Sequence, residues 1–126
     1  MPHSKAFRDL KVWQRSMDLV ERIYKLSAAF PKDERFGLTS QIRRAAVSVP
    51  SNIGEGSRRK KRNAFLNHLD IALGSQAEVE VQLEIALRLK FLKVADYSQT
   101  QIAVEEIGRM LNGLIISLDP VNDDEL

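Results

Sequence analysis

Between Phe65 and Ala86, the residues Phe65, Leu69, Ala72, Gln76, Val79, Leu83 and Ala86 follow one another in alternating steps of four and three. This is the seam of a helix packed on other helices. A strand would repeat every second residue, and a lone amphipathic helix would leave the stripe in water. Leu87, Leu89, Phe91 and Leu92 extend the apolar face, which predicts a helix over about 62–92. Glu78, Glu80, Glu84 and Arg88 take its outer positions, with Glu84 and Arg88 one turn apart as a helix-supporting pair.

Three more segments share the helical spacing. Leu10, Trp13, Met17, Val20 and Tyr24, widened by Val12, Leu19, Ile23 and Leu26, mark a helix over about 9–29, with Asp9 as N-cap and Pro31 as stop. Phe36, Thr39, Ile42, Ala46, Val49 and Ile53 mark a second over about 34–56. Pro50 interrupts it. A proline there removes one backbone bond and crowds the Ala46 carbonyl, so this helix is expected to kink or stop near Ser48, with Gly54 and Gly56 offering left-handed C-cap positions. A fourth helix, over about 97–118, turns Ile102, Ile107, Met110, Leu111, Leu114, Ile115 and Leu118 inward, and 119–126 reads as an acidic tail. Short connections and the lack of any strand pattern predict one all-α domain over 1–126, an antiparallel up-down-up-down four-helix bundle with its second helix kinked at Pro50.

The chain has no cysteine, which excludes disulfides, thiolate metal sites and thiol nucleophiles. Its N-terminus is polar, and no apolar run reaches the ~18 residues that cross a bilayer, so a cytoplasmic protein without a membrane partner is expected. The formal net charge of +2 conceals a division. Residues 1–62 hold 15 Lys or Arg against 6 Asp or Glu, a charge of +9, while residues 63–126 hold 4 against 11, a charge of −7. The basic half can face phosphates, or the acidic half of a neighbouring copy packed head to tail.

Longer motifs are also present. Phe7-Arg8-Asp9-Leu10-Lys11-Val12-Trp13-Gln14, the run Phe36 to Ala46, the run Ser48-Val49-Pro50-Ser51-Asn52-Ile53-Gly54-Glu55-Gly56, and Ile71-Ala72-Leu73-Gly74-Ser75 with Glu78 resemble the 23S ribosomal-RNA intervening-sequence protein family over about Phe7 to Leu118. The resemblance implies a four-helix bundle assembling as a ring-like homopentamer. It also implies a group first noticed because some of its genes lie within intervening sequences of bacterial 23S rRNA genes. The family is more distantly similar to the accessory proteins of diversity-generating retroelements, basic pentameric bundles that work with a reverse transcriptase. Neither similarity carries a biochemical activity, because a shared fold does not fix function.

The candidate functional residues follow from charge and position. Arg58, Arg59, Lys60, Lys61 and Arg62 are five consecutive cations, and with Arg43 and Arg44 on the preceding helix they can form a patch that binds RNA or DNA phosphates. A solvated loop is the plainer reading of the same run. A cationic first turn opposes the helix dipole, so the third helix is expected to start late, near Asn63. Aromatic residues sit at core spacing, which gives base stacking little support. Trp13, Pro50, Asn52, Gly54 and Gly56 read as structural, with Ser or Asn side chains satisfying the carbonyl that Pro50 frees. Gln76, Glu78 and Glu80 are candidates for a subunit interface or for solvated surface. No catalyst stands out: His68 is alone on the third helix, the residue three before it is Phe65 where a di-iron bundle needs Glu, and phosphate-cradling motifs are absent. The sequence therefore predicts a non-enzyme that needs no cofactor, metal or small-molecule substrate.

Overall fold

The computed structural model describes residues 7–118, and among these there is no strand. A 3-10 turn, Phe7–Asp9, leads into α1 (Lys11–Ser27), and a second, Lys32–Glu34, precedes α2 (Leu38–Ser57). The remaining helices are α3 (Arg62–Arg88) and α4 (Val94–Leu118). Each helix packs on the next in sequence, and α4 closes against α1, giving the up-down-up-down bundle. The acidic tail expected at 119–126 lies outside the described residues.

The seam of α3 is the spine of the core. All seven of its residues, from Phe65 to Ala86, are buried, and Ile42, Val49 and Ile53 of α2, Val104, Ile107 and Leu111 of α4, and Leu19 and Ile23 of α1 pack around them. Gln76 is the polar member. Its Nε2 donates to the Val104 carbonyl at 3.0 Å and to Glu80 Oε1 at 2.9 Å, so the amide is satisfied within the protomer. Gly108 makes room for it: a Cβ there would lie 2.8 Å from Gln76 Nε2.

Elsewhere the structure corrects the sequence reading. On α1 the deep face is Val12, Ser16, Leu19, Ile23 and Ser27, whereas Met17 and Tyr24, expected inside, are exposed. The apolar count misled because two serines occupy the buried face. Their hydroxyls are spent on local carbonyls, Ser16 on Trp13 and Ser27 on Tyr24. Phe36 is 87% exposed, lying before α2 begins, with the Arg35 guanidinium 5.2 Å from its ring centroid. Ile102 of α4 is likewise exposed, with Thr100 and Val104 taking the inward positions.

α2 does not stop at Ser48; it runs on through Pro50 to Ser57. Gly54 and Gly56 therefore lie within the last turn of α2 rather than in left-handed caps, and no glycine among the described residues has a positive φ. At Gly56 small size serves packing. A Cβ on Gly56 would lie 2.6 Å from His68 Cβ and 3.0 Å from Phe65 Cδ1, so this glycine sets how closely α2 approaches α3. The expected end of the third helix at 92 also moves. α3 stops at Arg88 in a Schellman turn, with the Lys90 amide donating to the Leu87 carbonyl and the Phe91 amide to that of Ala86. Lys90 holds the left-handed position at φ 64°, where glycine is usual, so no sequence signal announced the turn.

Candidate nucleic-acid interface

α2 ends at Ser57, whose buried hydroxyl donates to the Gly54 carbonyl at 2.8 Å. The four residues Arg58 to Lys61 then connect to α3, and Arg62 opens it. The helix dipole explains why cations are tolerated here. Arg58 and Arg59 sit at the carbonyl end of α2, where positive charge is favourable, and their amides close the last turn onto Glu55 and Gly56. All five side chains of the run are exposed. Arg59 is held locally, at 2.9 Å from Glu55 Oε2 one turn earlier. α3 begins at Arg62, one residue ahead of the start expected near Asn63.

Two more residues join this end that charge counting along the chain did not select. The 3-10 turn brings Phe7 beside the end of α2, and the guanidinium groups of both Arg8 and Arg58 lie over its ring, 4.8 and 5.5 Å from the centroid. Phe7 in turn packs edge-on against Trp13, with centroids 5.0 Å apart. Trp13 is thus half-buried under the N-terminal turn and is not a core residue. The only sequence signal for this grouping was the adjacency of an aromatic and an arginine at the chain start.

Arg43 and Arg44 are not brought to this end. They lie about 14 residues earlier on α2, roughly 20 Å away at 1.5 Å per residue. Arg43 is occupied at the carbonyl end of α1: Nε donates to Ser27 Oγ at 2.8 Å, a terminal N–H donates to the Tyr24 carbonyl at 3.3 Å, and the guanidinium rests 4.5 Å over the Tyr24 ring. Arg44 is exposed beside a groove that it shares with Gln41, Ser48, Ser75 and Glu78.

The polar residues of the Ser48 to Gly56 motif form a string along the α2–α3 contact. Asn52 Nδ2 donates to the Ser48 carbonyl at 2.9 Å, so it serves that carbonyl and not the one of Ala46. With Nδ2 committed, Oδ1 faces His68 Nδ1 at 3.0 Å, which fixes Nδ1 as the protonated ring nitrogen. Ser75 Oγ donates to Ser48 Oγ at 2.8 Å, continuing the string, and His68 Nε2 stands 3.8 Å from Glu55 Oε2. His68 is thereby a positioned interhelical residue. Among the described residues no three His, Asp or Glu side chains gather where they could hold a metal ion, and no helix is long and apolar enough to cross a membrane.

Comparison with known proteins agrees with this architecture. A crystal structure of a protein of unknown function from the S23 ribosomal protein family of Bacteroides thetaiotaomicron is 28% identical, covers 82% of this chain and 94% of its own, and superposes with a TM-score of 0.77. No curated protein matches the chain. The family model for the 23S rRNA-intervening sequence protein matches residues 8–113, nearly the whole bundle. The chain belongs to the 23S rRNA-intervening sequence protein family.

Proposed function

We propose that this protein is a non-enzymatic, cytoplasmic, self-associating bundle, a ring-like homopentamer, that binds nucleic-acid phosphates, RNA or DNA, through its basic end. The observation that carries the reading is the exposed run Arg58 to Arg62 at the α2–α3 turn, joined there by Arg8. These cations are long, solvated and unspecific in geometry, which suits backbone neutralisation rather than base readout. A ring would repeat the patch in every copy, so weak contacts would add through avidity. If about five phosphates are neutralised per protomer on a single strand, log affinity falls against log salt with a slope near −3.5. Replacing Lys60 and Lys61 by Gln should reduce that slope by about 1.4 without altering the fold, since both side chains are exposed in the connection. A slope near zero with single-stranded RNA and with duplex DNA overturns the reading.

A second reading, a protein-interaction module, is favoured by a different observation. Ile71, Gly74, Glu78, Val81, Ile85 and Arg88 repeat the three-four spacing on the outer face of α3, and Ile71, Val81 and Ile85 are exposed there. α3 thus carries a second seam facing away from the core, with Glu78 within it. The reverse-transcriptase partnership of retroelement accessory proteins belongs under this reading, and a gene beside a reverse transcriptase would support it.

A further inference from the structure

Beside the basic end, between the N-terminal turn, α1 and α2, lies an open groove of about 450 Å³, within the roughly 300–1,000 Å³ common for ligand sites. Its floor is apolar, made by Met17 and Val20 of α1 and Val47 and Pro50 of α2. One end is walled by Trp13 and Phe7, and the mouth carries Arg58 and Glu55. We infer that this groove accepts an unstacked base of a single-stranded nucleic acid whose backbone phosphate sits on Arg58 and its neighbours.

The inference rests on the phosphate-binding reading above and adds a base to it. Three features select a base over another apolar occupant. The Arg58 guanidinium and the Trp13 indole, both lining the groove, are stacking surfaces of the kind that hold splayed bases, and Arg58 doubles as a phosphate donor. The polar atoms in the groove match a base edge. Trp13 Nε1 has no hydrogen-bond partner among the described residues and can donate to a ring nitrogen or carbonyl, as can the Ser51 hydroxyl. Glu55 gives Oε2 to Arg59 and makes no hydrogen bond through Oε1 among the described residues, leaving an acceptor for an exocyclic amine. Charge supplies the third feature: the groove offers a cation and a carboxylate together, Arg58 for a backbone phosphate and Glu55 for the exocyclic amine of a base, a pairing that a purely anionic or purely apolar occupant does not match. Met17, Val47 and Trp13 accordingly stay accessible at this groove.

The chain holds a single tryptophan, and it lines this groove, so its emission reports occupancy directly. The full chain is titrated with a short single-stranded RNA and with an abasic ribose-phosphate strand of the same length and charge, following electrophoretic mobility and Trp13 emission excited at a wavelength the bases do not absorb. The expected result is quenched emission with RNA alone, and affinity for RNA roughly 5- to 100-fold above that for the abasic strand. Ser51→Leu, an exposed change on α2 that crowds the groove with a side chain unable to stack, should remove the quench and bring the two affinities together while the salt slope persists. Equal affinities with unchanged emission overturn the base site and leave the phosphate reading standing. Failure of both strands to bind overturns both. Emission that responds to dilution of the protein and not to RNA assigns the groove to a second copy and overturns the base site.

Discussion

The sharpest test of the packing at the basic end compares two helical glycines, Gly56 in the last turn of α2 and Gly74 in the interior of α3. In isolation a Gly→Ala change inside a helix should stabilise it by about 0.8–1 kcal/mol, and by less in the last turn, because alanine loses less backbone entropy and is the better helix former. Their surroundings separate them. Nothing lies within 4 Å of a Cβ built on Gly74, so Gly74→Ala should realise the whole gain. A Cβ on Gly56 would stand 2.6 Å from His68 Cβ, an atom fixed to the α3 backbone that no rotamer change can move. Such overpacking costs typically about 1–3 kcal/mol, and this contact is short enough to sit at the upper end. Gly56→Ala should therefore be destabilised by about 1–2 kcal/mol net, and the two variants should differ by about 2–3 kcal/mol. For a chain of this length that is on the order of 8–12 °C in melting temperature. The measurement is thermal unfolding by circular dichroism at one protein concentration, since self-association would otherwise contribute. Equal melting temperatures for the two variants would refute the close approach of α2 and α3 at Gly56.

Three other outcomes follow from local geometry. Asn52→Ala should cost about 1–3 kcal/mol, because it leaves the His68 Nδ1–H without its acceptor in a half-buried site, while RNA mobility shifts stay as they were; unchanged melting would remove the structural role. Lys90→Gly should raise stability by about 0.5–1 kcal/mol in a denaturant titration, since glycine adopts φ 64° without the Cβ penalty. Arg43→Ala should cost about 1–2 kcal/mol by stripping the cation from the carbonyl end of α1 and the donor from Ser27, and it should leave the salt slope of RNA binding intact; a slope reduced by about 0.7 would return Arg43 to the phosphate-binding set.

How far the sequence could be read depends on whether a residue's burial was written in its chemistry. The α3 seam was legible because six of its seven members are apolar and the spacing is unbroken through Gln76, and all seven are buried. α1 was legible as a helix but not in its facing, because Ser16 and Ser27 hide in the core by bonding back to their own helix, while Met17 stays exposed at the groove. Pro50 signalled an interruption, yet α2 runs on through it, and the two glycines after it looked like caps because what they pack against, Phe7 and Trp13 for Gly54 and His68 and Phe65 for Gly56, lies on other elements. The basic run announced itself, yet its relation to Phe7 and Arg8 required the N-terminal turn to fold back on α2, a contact with no periodicity to reveal it. Arg43 shows the reverse: a cation that counted toward the charged half is engaged by the end of α1.

The charge division acquires a direction once the helices are placed. α1 and α2 are adjacent, as are α3 and α4, so the basic and acidic halves form two sides of one bundle meeting along the α1–α4 and α2–α3 contacts. Along the first, Arg15 pairs with Glu106, whereas Arg22 turns to Thr100 and Gln99 and not to a carboxylate. Along the second, Arg44 and Glu78 share a groove without closing an ion pair. Among the described residues few ion pairs join the two sides, and the two ways in which copies could meet respond differently to salt. Head-to-tail pairing of a basic side with an acidic one weakens as ions screen it, whereas contact through the outer stripe of α3 is apolar and does not. Ile85→Glu places a charge on that exposed stripe at little cost to the protomer, since Ile85 is 41% exposed already. If the stripe joins the copies, sedimentation should show an assembly that persists in high salt for the wild type and falls to protomers for Ile85→Glu, with helicity unchanged. An assembly that dissociates in high salt and ignores Ile85→Glu would place the charged sides, and not the second seam of α3, between the subunits, leaving correspondingly less positive surface for phosphate.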